Sequence, residues 1–142
     1  MHFEGPLEDR VAIREVIEAY GDAVTQVDGE VWASLWAEDS KWELPDLPEL
    51  GTMVGKKQIV ENWHAAMKNY PGLVFIATPG MIKVKGDQAL ARVYTSEVYD
   101  DADGKTHRVR GQYDDTLVKQ DGRWLIKHRV FRVLHEDCVK GE

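Results

Sequence analysis

Between residues 7 and 27 the apolar positions Leu7, Val11, Ile13, Val16, Ile17, Tyr20, Val24 and Val27 recur mostly in steps of three or four. That is the period of an amphipathic helix. The opposite face carries Glu8, Asp9, Arg14, Glu15, Glu18 and Asp22. Asp28-Gly29 ends the pattern, and Gly29 suits a left-handed cap. Val31, Trp32, Leu35 and Trp36 then predict a short second helix over 30–37, packed back on the first. Residues 41–44 (KWEL) read as a short strand. Residues 45–51 (PDLPELG) read as a loop, because two prolines deny it ladder hydrogen bonds. Its mix of Leu and acids suggests a flap lying over something. Ile59, Val60, Trp63 and Met67 make the stripe of a helix over 55–70, which Pro71-Gly72 breaks.

After residue 72 the period changes to two. A strand over 73–84 is interrupted at Pro79-Gly80. A second, 89–99, puts Ala89, Ala91, Val93, Thr95, Glu97 and Tyr99 on one face and Leu90, Tyr94 and Val98 on the other. Residues 105–133 form a long hairpin about Asp121-Gly122, the strongest short-range hairpin signal. Val109, Gly111, Tyr113, Asp115 and Leu117 share one of its faces, and so do Trp124 and Ile126. The pattern leaves open whether His128 or Arg129 follows them inward. Each hairpin strand can span about 30 Å at roughly 3.3 Å per residue, so it must curl around something or leave its apolar face wet. Helices first and antiparallel strands after predict an α+β fold in one domain, 1–142, with its core at about 7–133. Leu90, Tyr94, Val98 and Val118 cannot face the inside of the curl. They predict a homodimer or higher homo-oligomer packed sheet to sheet.

Composition narrows the function. The chain has 142 residues, 43% of them hydrophobic, with five Trp and a net charge of −7. The acidic balance argues against nucleic acid, which rewards basic patches. It leaves room for a small hydrophobic ligand. Cys138 is the lone cysteine, which rules out an internal disulfide and fits a reducing, cytoplasmic setting. No run approaches the length of a membrane span, so no membrane partner is expected. Glycines are scattered singly, with no phosphate loop, and His64, His107 and His128 show no ligand spacing. Neither a cofactor nor a metal is expected.

Several stretches together resemble the nuclear transport factor 2-like superfamily, closest to its polyketide-cyclase-like (SnoaL-like) and dehydratase-like branch. They are Val27-Asp28-Gly29, the run Leu35-Trp36-Ala37-Glu38-Asp39 with Trp42, the pattern Gly111-Tyr113-Asp115, and DGRWLIKHR at 121–129. The resemblance spans about residues 7–133. It implies a cone: a strongly curved sheet around a long N-terminal helix, with a pocket at the wide end. Its members include dehydratases and other lyases, steroid isomerases, cyclases, epoxide hydrolases and non-catalytic modules.

The resemblance makes Asp28 the first candidate base. Dehydratase and dehydrochlorinase members keep an acid there, eight residues after a Tyr, here Tyr20. Desolvation beside Val24, Val27 and Trp32 would raise its pKa. A plain helix-terminating turn is the alternative. Relatives pair this acid with a His near the strand after the second long helix, but residues 69–75 (NYPGLVF) hold none. His107, on the alternation of Val109 and Tyr113, is the candidate replacement, beside an exposed hairpin-end reading. Tyr20 and Tyr113 are candidate oxyanion donors. Glu97, among apolar neighbours, is either functional or half of a buried pair with an Arg. Arg129 and Arg132 are candidate anchors for a substrate oxygen, Trp42, Trp63 and Phe75 candidate cavity wall, and Trp124 sheet core. The expected activity is cofactor-independent proton abstraction followed by elimination or isomerisation on a small cyclic or aromatic molecule. The alternatives are a ligand-binding or partner-subunit module, and epoxide hydrolysis.

Overall fold

Pro6 starts the first long helix, its φ of −59° already suited to it and its carbonyl accepting from the Arg10 N–H at 3.1 Å. The computed structural model describes residues 1–140. A two-residue strand, β1 (Phe3–Glu4), precedes α1 (Leu7–Gln26). Ile13, Ile17, Tyr20 and Val24 form the buried face of α1, whereas Leu7, Val11 and Val27 are exposed. Each fully buried Ile contributes roughly 1.5–3 kcal/mol. The helix ends earlier than its pattern predicts. Val27, not Gly29, takes the left-handed conformation, at φ 53°. Asp28 then caps α2 (Gly29–Ser34), its carboxylate accepting from the Val31 N–H at 3.2 Å. A second helix follows at once, and its free N–H groups need that acceptor.

β2 (Trp36–Glu43) begins where helical spacing predicts α2 to continue. Trp36 pairs with Ile126, and the Leu35 carbonyl accepts from the Ile126 N–H at 2.8 Å. Strand pairing here overrides a local helical pattern. β3 (Thr52–Val54) and α3 (Lys56–Met67) follow. The chain finishes in the predicted meander: β4 (Val74–Lys85), β5 (Gln88–Asp100), β6 (Lys105–Gln120) and β7 (Arg123–Lys140). Among the described residues the seven strands lie in the order β1-β4-β5-β6-β7-β2-β3. β1 runs parallel to β4 and β2 parallel to β7, so the sheet is mixed rather than purely antiparallel. It is curved and does not close, with α1 against its concave side.

The β6–β7 hairpin turns on Asp121 and Gly122, at φ 53° and 76°, the geometry an Asp-Gly pair favours. Two bulges then set which side chains face inward. Leu117 pairs with Ile126 but Thr116 with His128, so Lys127 is extra. Gly111 pairs with Val133 but Arg110 with His135, so Leu134 is extra. Each extra residue flips the alternation. Arg129, not His128, therefore joins Asp115 on the concave side, and Glu136 joins Val109. His128 instead pairs with Glu43 at 2.6 Å. On the convex side Leu90, Tyr94 and Val98 are exposed together with Val74 and Ile76, while Val118 is half-buried. Among the described residues no helix is long and apolar enough to cross a membrane.

Candidate active site

A cavity of about 150 Å³ lies between α1, α3, the loop 45–51 and the concave faces of β4 to β7. Tyr20 and Tyr113 form its floor, and Trp42, Trp63 and Phe75 its sides. Leu47 and Leu50 place the loop over it, as its composition suggests. Asp46 ties that loop to β7 by accepting from the Val133 N–H at 2.8 Å. A broader, more open trough of about 370 Å³ lies on the far side of Trp42 and Trp63, walled by Asn62 and Met53. The first cavity is the better ligand site, because its walls are apolar and a few polar groups converge on it. Gly111 is needed for its shape. A Cβ there would stand 2.3 Å from the Phe131 ring.

Behind the floor sits Arg129, 1% exposed. Its Nε and Nη2 donate to the two Asp115 oxygens at 2.8 and 2.7 Å. Its guanidinium lies 3.7 Å from the Tyr113 ring centre and 4.4 Å from that of Tyr20. Each such contact is worth roughly 0.5–2 kcal/mol. Burial disfavours the Arg129 charge, but Asp115 outweighs burial, and its pKa is raised. The Tyr20 and Tyr113 hydroxyls meet at 3.3 Å. Burial raises both phenols' pKa values, well above the usual for Tyr113, and the Arg129 charge opposes that rise. The floor is thus a pair of neutral hydroxyls backed by a neutralised cation.

At the mouth stand two carboxylates. Glu97 of β5, Val109 of β6 and Glu136 of β7 are paired in one cross-strand row, and all three line the cavity. Burial, then the charge of Glu136, lifts Glu97 to about 7. Tyr70 and Tyr99 close the mouth edge to face at 4.7 Å. Burial, then the neighbouring Tyr70, Glu136 and Glu97, pushes Tyr99 up to about 12.

Of the residues picked from sequence, Tyr20, Tyr113, Trp42, Trp63, Phe75 and Glu97 meet in this cavity. Four do not. Asp28 is exposed, its carboxylate spent on capping α2, so the expected base is outside the site. His107 lies past the mouth, stacked on Tyr99 at 4.7 Å and bonded to Asp101 at 2.7 Å, because its row falls at the far end of the hairpin. Arg129 reaches the floor only through the tyrosine rings, since Asp115 holds its fork. Arg132 is an exposed residue 3.7 Å from Asp114. The pair with Arg that Glu97 was open to does not form, as Arg129 belongs to Asp115. Sequence reasoning missed Glu136, Tyr70 and the Asp115–Arg129 pair. Tyr99 was findable, sharing a face with Glu97; Glu136 was not, because the bulge at Leu134 decides its side. Trp124 is core as expected, its indole N–H donating to Asp9 at 3.0 Å.

Residues 5–130 match the SnoaL-like domain, and the chain belongs to that family. The match agrees with the resemblance read from the motifs. Solved structures share the fold. One is hexachlorocyclohexane dehydrochlorinase LinA-type3 from Novosphingobium barchaimii LL02, 16% identical over 96% of this chain and 93% of that one, TM-score 0.83. Another, from Novosphingobium aromaticivorans DSM 12444, carries the provisional name scytalone dehydratase: 20% identity, coverage 95% and 93%, TM-score 0.82. A third, also from Novosphingobium aromaticivorans and provisionally named an aromatic ring hydroxylase, is 24% identical over 95% and 96%, TM-score 0.84. No curated protein sequence matches the chain.

Proposed function

We propose that this protein is a cofactor-independent lyase or isomerase acting on a small hydrophobic, cyclic or aromatic molecule, with Glu97 in place of Asp28 as the proton-transferring group. One observation carries this reading: a carboxylate held at about 7 opens into an aromatic cavity whose floor is a pair of phenolic hydroxyls. A base is most effective when its pKa lies near the working pH. A cavity near 150 Å³ admits a benzene-sized ring, the size another protein's engineered cavity of about that volume holds. The Glu97 carboxylate would take a proton from a carbon beside a carbonyl. The electron pair would move onto the oxygen, where the Tyr20 and Tyr113 hydroxyls donate to the developing charge. From that enolate, return of the proton to another carbon gives isomerisation, and departure of a neighbouring group gives elimination. The lyase names among the fold relatives support this class.

The test is proton exchange. In D₂O, small cyclic ketones should exchange their α-protons, read by ¹H NMR. Glu97→Gln should slow the exchange by roughly 10²- to 10⁴-fold, and Asp28→Asn should leave it unchanged. In the wild type the rate should climb with pH until it levels off above about 7, where Glu97 is ionised. A rate that survives Glu97→Gln but is lost in Asp28→Asn would restore the first candidate base.

A second reading, a ligand-binding module without turnover, is favoured by the absence of any His among the described residues lining the cavity. It predicts binding of ring compounds with no exchange. The exposed convex face supports a homo-oligomer; a sedimentation mass of one chain at micromolar protein would refute that.

A further inference from the structure

The cavity's charge is one-sided. Its lining includes Glu97 and Glu136 but no Lys, Arg or His among the described residues. The nearby Arg129 does not balance them, because Asp115 already neutralises it at 2.7 Å. Glu97 has burial and a like charge pressing on it and, among the described residues, no cation beside it. A carboxylate in that position is a group still lacking its partner. The walls fit the same missing partner. Trp42, Trp63, Tyr70 and Tyr99 line the cavity, and aromatic rings attract cations.

We infer that the ligand of this cavity is a hydrophobic amine or quaternary ammonium compound. Its cation sits at the mouth between Glu97 and Glu136, and its ring faces the tyrosine floor. The row geometry suits this. Glu97 and Glu136 flank Val109 on adjacent strands, so their backbones are separated by about two strand spacings, roughly 9–10 Å. Two Glu side chains can close on one ammonium across that gap. A bound cation favours ionised Glu97, so binding also prepares the base. The inference rests on the cavity being the ligand site of the proposed function, but not on turnover.

The groups facing Glu97 define the pH test. Glu136 comes from β7, Tyr113 from β6, Tyr99 from its own strand, Tyr70 from the turn after α3 and Tyr20 from α1. All four phenols are shifted upward, away from the Glu97 carboxyl at about 7.

The experiment is a tryptophan-fluorescence titration with phenyltrimethylammonium, whose charge is fixed, against tert-butylbenzene and benzoate. The wild type should bind the cation at least about tenfold more tightly than the neutral isostere, and benzoate most weakly. Cation affinity should rise by up to about tenfold between pH 6 and pH 8, and this rise should vanish in Glu97→Gln. Glu136→Gln is an exposed change that leaves packing intact, so it tests the charge even if the Glu97 variant folds poorly. It should weaken the cation severalfold and leave tert-butylbenzene unchanged. Equal affinity for cation and isostere, or a cation affinity indifferent to Glu136→Gln, overturns the inference. Charge preference without proton exchange would keep it and remove the acid–base reading. Exchange without charge preference would do the reverse.

Discussion

Two acid-containing groups lie along the concave side of the same sheet, and they are built oppositely. The Asp115–Arg129 pair is closed: both side chains are 1% exposed, joined by two hydrogen bonds and roofed by tyrosine rings. The Glu97–Glu136 pair is open: two like charges face a cavity, with no cation lining it among the described residues. A charge neutralised from within serves the structure. A charge left without a partner at a cavity mouth raises its own pKa and waits for a ligand or a proton. The contrast explains why the Arg that sequence marked as an anchor is structural, while the acid that sequence left ambiguous is the stronger chemical candidate.

The closed pair should be the costlier to break. Arg129→Met leaves Asp115 buried without its cation and should lower stability by about 3–5 kcal/mol, measured by urea unfolding. Adding Asp115→Leu should recover most of that loss. If the single variant costs under about 1 kcal/mol, the pair is not what holds the floor together.

The open pair should show the reverse sign. Glu97 rises from an unfolded 4.5 to about 7 in the fold. Between those values the folded state holds more protons than the unfolded one, so stability falls as pH rises from about 4.5 to 7, then levels. Glu97→Gln should therefore be more stable than wild type at pH 8, by roughly 1–3 kcal/mol, with little difference at pH 4. A variant less stable at pH 8 would mean that the carboxylate has an internal partner after all.

Smaller effects mark the residues that sequence placed in the site and the fold placed elsewhere. Asp28→Ala removes a helix cap and should cost about 1 kcal/mol in thermal or urea unfolding while leaving ligand binding intact. Loss of binding would return Asp28 to the cavity. Arg132→Ala breaks only an exposed pair with Asp114 and should change stability by less than about 0.5 kcal/mol.

Much of the fold was legible because burial imposes its period directly on the chain. The α1 stripe, the β4-to-β7 meander and the Asp121-Gly122 turn each follow from local pattern and turn chemistry. The cavity walls were legible for the same reason: Trp42, Trp63, Phe75, Tyr20 and Tyr113 are apolar or aromatic residues on inward faces. What was not legible depends on partners distant in sequence. Trp36 sits at helical spacing but pairs with Ile126, ninety residues on. Asp28 resembles a family acid, but its carboxylate answers first to the N–H groups of the helix it starts.

The chain's own residues determined an α+β fold, a long curled hairpin and an aromatic, acidic inward face. Only the tertiary structure decided which polar groups of β7 stand on that face. The reason is parity. Side chains alternate strictly along a strand, so one extra residue exchanges inside for outside. β7 carries two such residues, Lys127 and Leu134. The first brings Arg129 rather than His128 to Asp115, and the second brings Glu136 to the mouth beside Glu97. A bulge costs little and depends on the twist and pairing of the neighbouring strand, so no local pattern in residues 123–140 announces it.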